Sequence, residues 1–170
     1  MDYKELKEEL RDIKRLYETL GQLYESIEEF GYVDIDIDIP YKKILRLDLL
    51  KFMMYLSASD GILHPSEVMM FNEITSMDLD PEGIIDFVDE FGVYTKEFES
   101  KVPLSMIIAV MEELNGIGGH EMSYPRLLYG LFELIGLKMV KIDDDITYTE
   151  LRDLDIYLSM LKDYMNDRGF

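Results

Sequence analysis

Two acidic stretches contain the residues of this chain that are best placed to bind a ligand. In the first, Asp60 and Gly61 are typical of a tight turn, and Glu67 falls in the first turn of the next predicted helix. About 83 residues later the pattern returns, with Asp143 in the place of Asp60 and Glu150 in the place of Glu67. A turn carboxylate beside a helix carboxylate supplies the hard oxygen ligands that Ca²⁺, Mg²⁺ and Mn²⁺ prefer. These four carboxylates are therefore candidate ligands for a divalent cation bound by the two acidic loops.

The second stretch adds Asp144 and Asp145 as further candidate ligands. It holds four carboxylates within residues 143–150, and crowded carboxylates repel one another unless a cation or solvent lies between them. A capping role is the alternative at both stretches, because Asp favours turns and Glu at a helix start interacts with the helix dipole. Thr147 and Glu150 also match a Thr-x-x-Glu capping box. The ligand spacing of an EF-hand is absent, and both interpretations stay open on the residues alone.

Residues suited to catalysis are few. The chain has no Cys, which excludes thiolate nucleophiles and thiolate zinc sites. Its two histidines, His64 and His120, each lie at or near a predicted helix start. His120 and Glu121 form a weak acid–base pair in a glycine-rich loop, without a nucleophile motif, a phosphate loop or a dinucleotide fingerprint in the sequence. We therefore predict a protein that is not an enzyme.

Charge narrows the range of partners. The 36 acidic residues outnumber the 17 basic ones and give a net charge of −19. Such a charge disfavours nucleic acids and anionic membrane surfaces and favours cations or basic proteins. No apolar stretch approaches the roughly 20 residues needed to cross a bilayer, and the charged N-terminus does not resemble a signal peptide. The sequence predicts a cytoplasmic protein with neither membrane insertion nor nucleic-acid binding.

The first element along the chain is a predicted amphipathic helix. Residues 3–30 carry apolar side chains at alternating spacings of three and four, and Gly31 follows as a candidate C-cap. The stripe consists of Tyr3, Leu6, Leu10, Ile13, Tyr17, Leu20, Tyr24 and Ile27, widened by Leu16, Leu23 and Phe30. A stripe of this width packs either on the chain's own domain or on a partner chain, as in a homodimer.

An extended acidic linker and a helical domain follow. Residues 33–39 alternate Val or Ile with Asp, as a half-buried strand does, but no second strand is evident to pair with them. We predict a linker (32–40) with its apolar side on the core and Asp34, Asp36 and Asp38 outward, as a solvated edge or as a cation-binding ladder. Apolar periodicity predicts about seven helices in residues 41–170. The predicted fold is all-α, a single-domain bundle of these helices plus the N-terminal helix (1–31).

The first acidic motif resembles one of a known family. The pattern Asp60-Gly61-x-Leu63-x-x-x-Glu67, after an apolar helix ending in Ala and Ser, is similar to that of the tellurite-resistance TerB-like family, and the resemblance extends over residues 41–165. It implies an all-α fold of about seven helices, acidic surfaces, a metal-linked role in stress-response or membrane-associated complexes, and no established catalytic reaction.

Carried over by position, the resemblance implies acidic sites at Asp60 with Glu67 and at Asp143 with Glu150. In the second copy Asp144 replaces the turn glycine. Two functions follow as predictions: a non-enzymatic acidic module that binds divalent cations through its two loops in a stress-response setting, or an acidic scaffold that binds a basic protein partner without metal.

Overall fold

A computed structural model describes residues 2–57, 64–87, 89, 102–116, 123–142 and 147–170. These residues form eight helices and no strand. The helices are α1 (Tyr3–Glu9), α2 (Arg11–Phe30), α3 (Tyr41–Leu56), α4 (Pro65–Thr75), α5 (residues 81–87), α6 (Leu104–Asn115), α7 (Tyr124–Ile142) and α8 (Tyr148–Asn166). The prediction of an all-α, single-domain bundle is confirmed.

The N-terminal stretch is two helices rather than the single predicted one. The break falls at Leu10, which caps α1 and precedes α2 with φ −88° and ψ −3°. Backbone hydrogen bonds still run from the N–H of Leu10 to Leu6 and from the N–H of Lys14 to Leu10, so the break is local. At the ends of the predicted stripe, Tyr3 and Phe30 are 52% and 79% exposed and do not join the core.

Helix α2 packs on α3, α4 and α7 of its own chain. The side chains it buries are Ile13, Tyr17, Leu20, Tyr24 and Ile27. Ion pairs also hold the short helix α1 and the start of α2 against these helices. Lys138 on α7 pairs with Glu9, and Lys14 on α2 pairs with Glu73 on α4. The apolar stripe is therefore covered by helices of the same chain, and pairing with a second copy through it stays a prediction.

Helix α3 lies at the centre of the bundle, where it contacts α2, α4, α6, α7 and α8. Its sequence is apolar nearly all round, which is typical of a helix enclosed on every side. The ring of Phe52 lies 5.0 Å from that of Phe132 on α7 and 4.6 Å from that of Tyr157 on α8. Gly136 on α7 lets α8 approach closely, because a Cβ there would collide with Leu154. This core fixes the positions of α2, α3 and α6, from which the candidate site is built.

Candidate interaction surface and cation sites

Most of the predicted metal ligands lie outside the described residues. This group comprises Asp60, Asp143, Asp144 and Asp145, together with the histidine of the weak acid–base pair, His120. The two predicted ligands that the structure describes are Glu67 at the start of α4 and Glu150 at the start of α8. The two acidic loops themselves, residues 58–63 and 143–146, lie outside the described residues.

Glu67 and Glu150 occupy the same position in their helices. The Oε2 atom of Glu67 accepts a hydrogen bond of 2.7 Å from the backbone N–H of His64. The Oε2 atom of Glu150 accepts one of 3.1 Å from the N–H of Thr147, whose Oγ1 atom accepts from the N–H of Glu150 at 3.2 Å. The capping box predicted at Thr147 is confirmed. Each glutamate thus satisfies a backbone donor that a helix start leaves without a partner.

The described part of the chain contains no assembled metal centre. Within it, no three His, Asp or Glu side chains come close enough together to hold an ion. The loop carboxylates that would complete either site belong to residues 58–63 and 143–146, which the structure does not describe.

The connection between α2 and α3 forms no strand. Alternate residues point inward and outward along it, since Val33 and Ile39 are buried and Ile35 and Ile37 pack partly against the core. A hydrogen bond of 2.7 Å from the N–H of Ile37 to the carbonyl of Ile35 tightens the chain around Asp36. The apolar side of the alternation is therefore fixed on the bundle and the acidic side faces outward.

A buried carboxylate holds the start of this connection. Glu112 on α6 is 9% exposed, and its Oε2 atom accepts hydrogen bonds from the N–H groups of Tyr32 (2.8 Å) and Val33 (3.1 Å). Gly31 passes so close to Glu112 that a Cβ there would lie 2.8 and 2.9 Å from its two carboxylate oxygens. Gly31 has an extended backbone with φ −78°, so close approach, not a positive φ, favours glycine here.

Tyr41, the first residue of α3, also holds this connection. Its hydroxyl donates to the carbonyl of Val33 at 3.1 Å and accepts from the N–H of Ile35 at 3.2 Å. Its own N–H donates to Glu28 of α2 at 3.3 Å. Since Tyr41 is 5% exposed, both anchors of the connection lie on its inner side and leave the outer side clear.

We call the outer side of the connection, together with Phe30 at the end of α2, the linker surface. It comprises Phe30, Tyr32, Asp34, Asp36 and Asp38, all of them exposed. Phe30 and Tyr32 are the most exposed aromatic side chains of this part of the chain, at 79% and 59%. The sequence contains no Lys or Arg between residues 16 and 41, but seven acidic residues. The linker surface therefore combines fixed negative charge with two aromatic faces.

Another buried acid, Asp48 on α3, links three helices. Its Oδ2 atom accepts a hydrogen bond of 2.8 Å from the N–H of Ser105 in the first turn of α6. The carbonyl of Ser105 in turn accepts a bond of 2.6 Å from the hydroxyl of Tyr24 on α2. Burial raises the pKa of Asp48 to about 6, although Ser105 and Lys51 favour the charged form. Burial and the charge of Asp48 likewise raise the pKa of Tyr24.

Sequence reasoning missed Glu112 and Asp48, two of the three buried acids among the described residues; the third, Glu67, was a candidate ligand. The helical periodicity of α6 does contain a signal for Glu112, because it falls on the same face as the buried residues Ser105, Ile108 and Ala109. Asp48 lies in α3 between the buried apolar residues Leu47 and Leu49. An acid at a core position implies a polar partner, since burying an unpaired carboxylate is costly. Which partner it has depends on tertiary contacts that spacing does not reveal.

Comparisons with models of protein families, with curated proteins and with solved structures found no match to this chain. The resemblance to the TerB-like family accordingly stays a prediction that depends on the acidic motifs. None of the helices in the described ranges is both long enough and apolar enough to cross a membrane.

Proposed function

We propose that this protein is a non-enzymatic interaction module that binds a basic segment of a partner protein through the linker surface. The observation that carries the proposal is the fixed outward display of Asp34, Asp36 and Asp38 on a connection anchored from its inner side by Glu112 and Tyr41. Carboxylates on a fixed backbone attract a cationic segment and need little further ordering when it binds.

The aromatic end of the linker surface favours the same class of partner. Phe30 and Tyr32 are exposed and precede the carboxylates along the chain, and the face of an aromatic ring attracts the guanidinium or ammonium group of a basic side chain. Exposed aromatic side chains are also enriched at the centres of protein interfaces. A basic segment with Lys or Arg residues therefore has both charge and ring faces to bind.

A labelled lysine-rich peptide, followed by fluorescence anisotropy over a range of salt concentrations, tests the proposal. Neutralising the row with D34N/D36N/D38N should weaken binding at least threefold or so, at about 0.2–1 kcal/mol for each exposed charge pair. It should also flatten the dependence of affinity on salt, because fewer charges are engaged.

The matched control is E8Q/E18Q/D163N, which removes the same charge from exposed positions on α1, α2 and α8. If the two triple variants bind the peptide equally, net charge alone explains binding and the proposed surface is wrong. The further variant F30S/Y32S keeps every charge and should weaken binding through loss of the ring faces.

Divalent-cation binding, within the stress-response role that the TerB-like resemblance implies, is the second candidate function. The observation that favours it is the equivalent placement of Glu67 and Glu150, each accepting from the N-cap backbone at the start of its helix. This equivalence supports a repeated unit in which Asp60 and Asp143 would supply the loop ligands. In both glutamates the hydrogen bond that caps the helix is accepted by the Oε2 atom.

Melting temperatures with and without Ca²⁺, Mg²⁺ or Mn²⁺ test this candidate. An ion that binds only the folded state must raise the melting temperature as its concentration exceeds the Kd. The variants D60N/E67Q and D143N/E150Q keep the shape of the side chains and should each reduce the shift. If the wild-type protein shows no shift at millimolar concentrations, the cation hypothesis fails.

A further inference from the structure

The linker surface depends on a residue that does not belong to it. Glu112 lies on α6, almost fully buried, on the opposite side of the connection from the exposed aspartates. One of its oxygens accepts from two successive N–H groups, those of Tyr32 and Val33. A carboxylate that accepts more than one backbone donor fixes the direction of the chain as well as its position.

We infer that Glu112 is a positioning residue for partner binding, which holds the backbone of the linker surface in place from the buried side. The inference rests on the proposed function. It adds that affinity depends on a side chain that cannot touch the partner and contributes no charge to the exposed row.

The packing around Gly31 supports this role. The two oxygens of Glu112 lie within 3 Å of the place where a side chain at residue 31 would begin, which is closer than ordinary van der Waals contact. Gly31 also donates its N–H to the carbonyl of Ile27 at the end of α2. The carboxylate therefore fits against bare backbone at the point where the chain leaves α2 and turns into the connection.

Without this contact, the segment from Tyr32 onward would keep only the hydrogen bonds of Tyr41 and the packing of its apolar side chains on the core. Binding would then have to order residues that the wild-type protein holds already in place, and ordering a backbone residue costs about 1–2 kcal/mol. Since the exposed carboxylates are unchanged, the loss would appear as weaker affinity at every salt concentration and not as a change in salt dependence.

Binding of three variants and one control to the same lysine-rich peptide tests the inference. E112A removes the acceptor and should weaken binding about fivefold or more, with the salt dependence of the wild type. E112Q keeps an acceptor oxygen and should bind like the wild type. Amide hydrogen exchange at Tyr32 and Val33 should quicken in E112A but not in E112Q. Y41F removes the hydroxyl that holds Val33 and Ile35 and should weaken binding in the same way as E112A.

The control for Y41F is Y17F, which removes a buried hydroxyl that accepts from Arg46, away from the connection. If E112A is folded and binds like the wild type while D34N/D36N/D38N binds weakly, the positioning role is overturned and the proposed function stands. If neither variant weakens binding, the proposed function itself fails. If E112A does not fold, the comparison of Y41F with Y17F decides, and equal affinities would overturn the inference.

Discussion

Replacing Asp48 by Asn should make the stability of the protein less dependent on pH. In the folded state burial raises the pKa of Asp48 to about 6, from its usual value of 3.8. The folded protein therefore takes up this proton at a higher pH than the unfolded chain does. As a result, the ionised carboxylate lowers stability at neutral and alkaline pH, and this penalty disappears as the pH falls from about 7 towards 4.

The size of the effect follows from the two pKa values. A difference of about two pKa units corresponds to about 3 kcal/mol of destabilisation at pH values well above both. The Asn side chain can still accept from the N–H of Ser105, but an amide NH₂ group left without a partner in the core costs about 1–3 kcal/mol. At about pH 8 the free energy of unfolding of D48N should therefore be close to that of the wild type or higher. The part of this difference that changes with pH, about 2 kcal/mol between pH 8 and pH 4, does not depend on the amide.

Urea denaturation of the wild type and D48N at several pH values between about 4 and 8 measures this difference directly. The free energy of unfolding of D48N minus that of the wild type should fall as the pH is lowered. D163N, at an exposed position on α8, is the control for the removal of one negative charge. D48A, which leaves the N–H of Ser105 without its acceptor, should be less stable than D48N throughout. A difference between D48N and the wild type that stays constant with pH would refute the reasoning about Asp48.

Three further predictions concern packing. G136A should destabilise the fold by about 1–3 kcal/mol in urea denaturation, because the added methyl group collides with Leu154 across the contact between α7 and α8. G130A should instead stabilise it by about 0.5–1 kcal/mol, since a Cβ at that helical position has nothing within 4 Å and alanine favours the helix; equal effects at the two glycines would contradict the packing of α7. Deleting residues 1–31 should uncover the faces of α3, α4 and α7 and cause aggregation or altered assembly in light scattering, whereas a monodisperse variant with unchanged melting would show that α1 and α2 are dispensable.

Periodicity predicted the helices because each buries a face whose spacing is visible in the sequence. The stripe of α2 shows this, since Ile13, Tyr17, Leu20, Tyr24 and Ile27 are all buried. The alternation in residues 33–39 was equally informative, because its apolar side chains pack on the core and its three Asp side chains are exposed. The break at Leu10 was not predicted, since the apolar pattern continues across it without a Gly or Pro.

The candidate site was only partly visible in the sequence. The exposed aspartates of the linker could be named in advance, but the residues that hold its backbone could not. Glu112 is remote in sequence from the connection. Tyr41 follows the connection directly, but its hydroxyl bonds back to Val33, and both contacts depend on tertiary packing. The acidic loop motifs were visible as well, and for Glu150 the predicted helix cap is what the contacts show. Spacing alone cannot distinguish a carboxylate that caps a helix from one that also binds an ion, because both need it in the first turn.

The packing of α2 on α7 has a consequence for synthesis of the chain. After residue 30 has been made, the ribosome must reach residue 142 before α7 is complete, which takes on the order of 10 s at roughly 5–20 residues per second. During that interval α2 can pair with α3, the next helix to emerge, but the side of its apolar stripe that α7 covers remains open. Chaperones that bind nascent chains would therefore meet this stripe early. The bundle would be completed only after its C-terminal half, which contains α7, has been made.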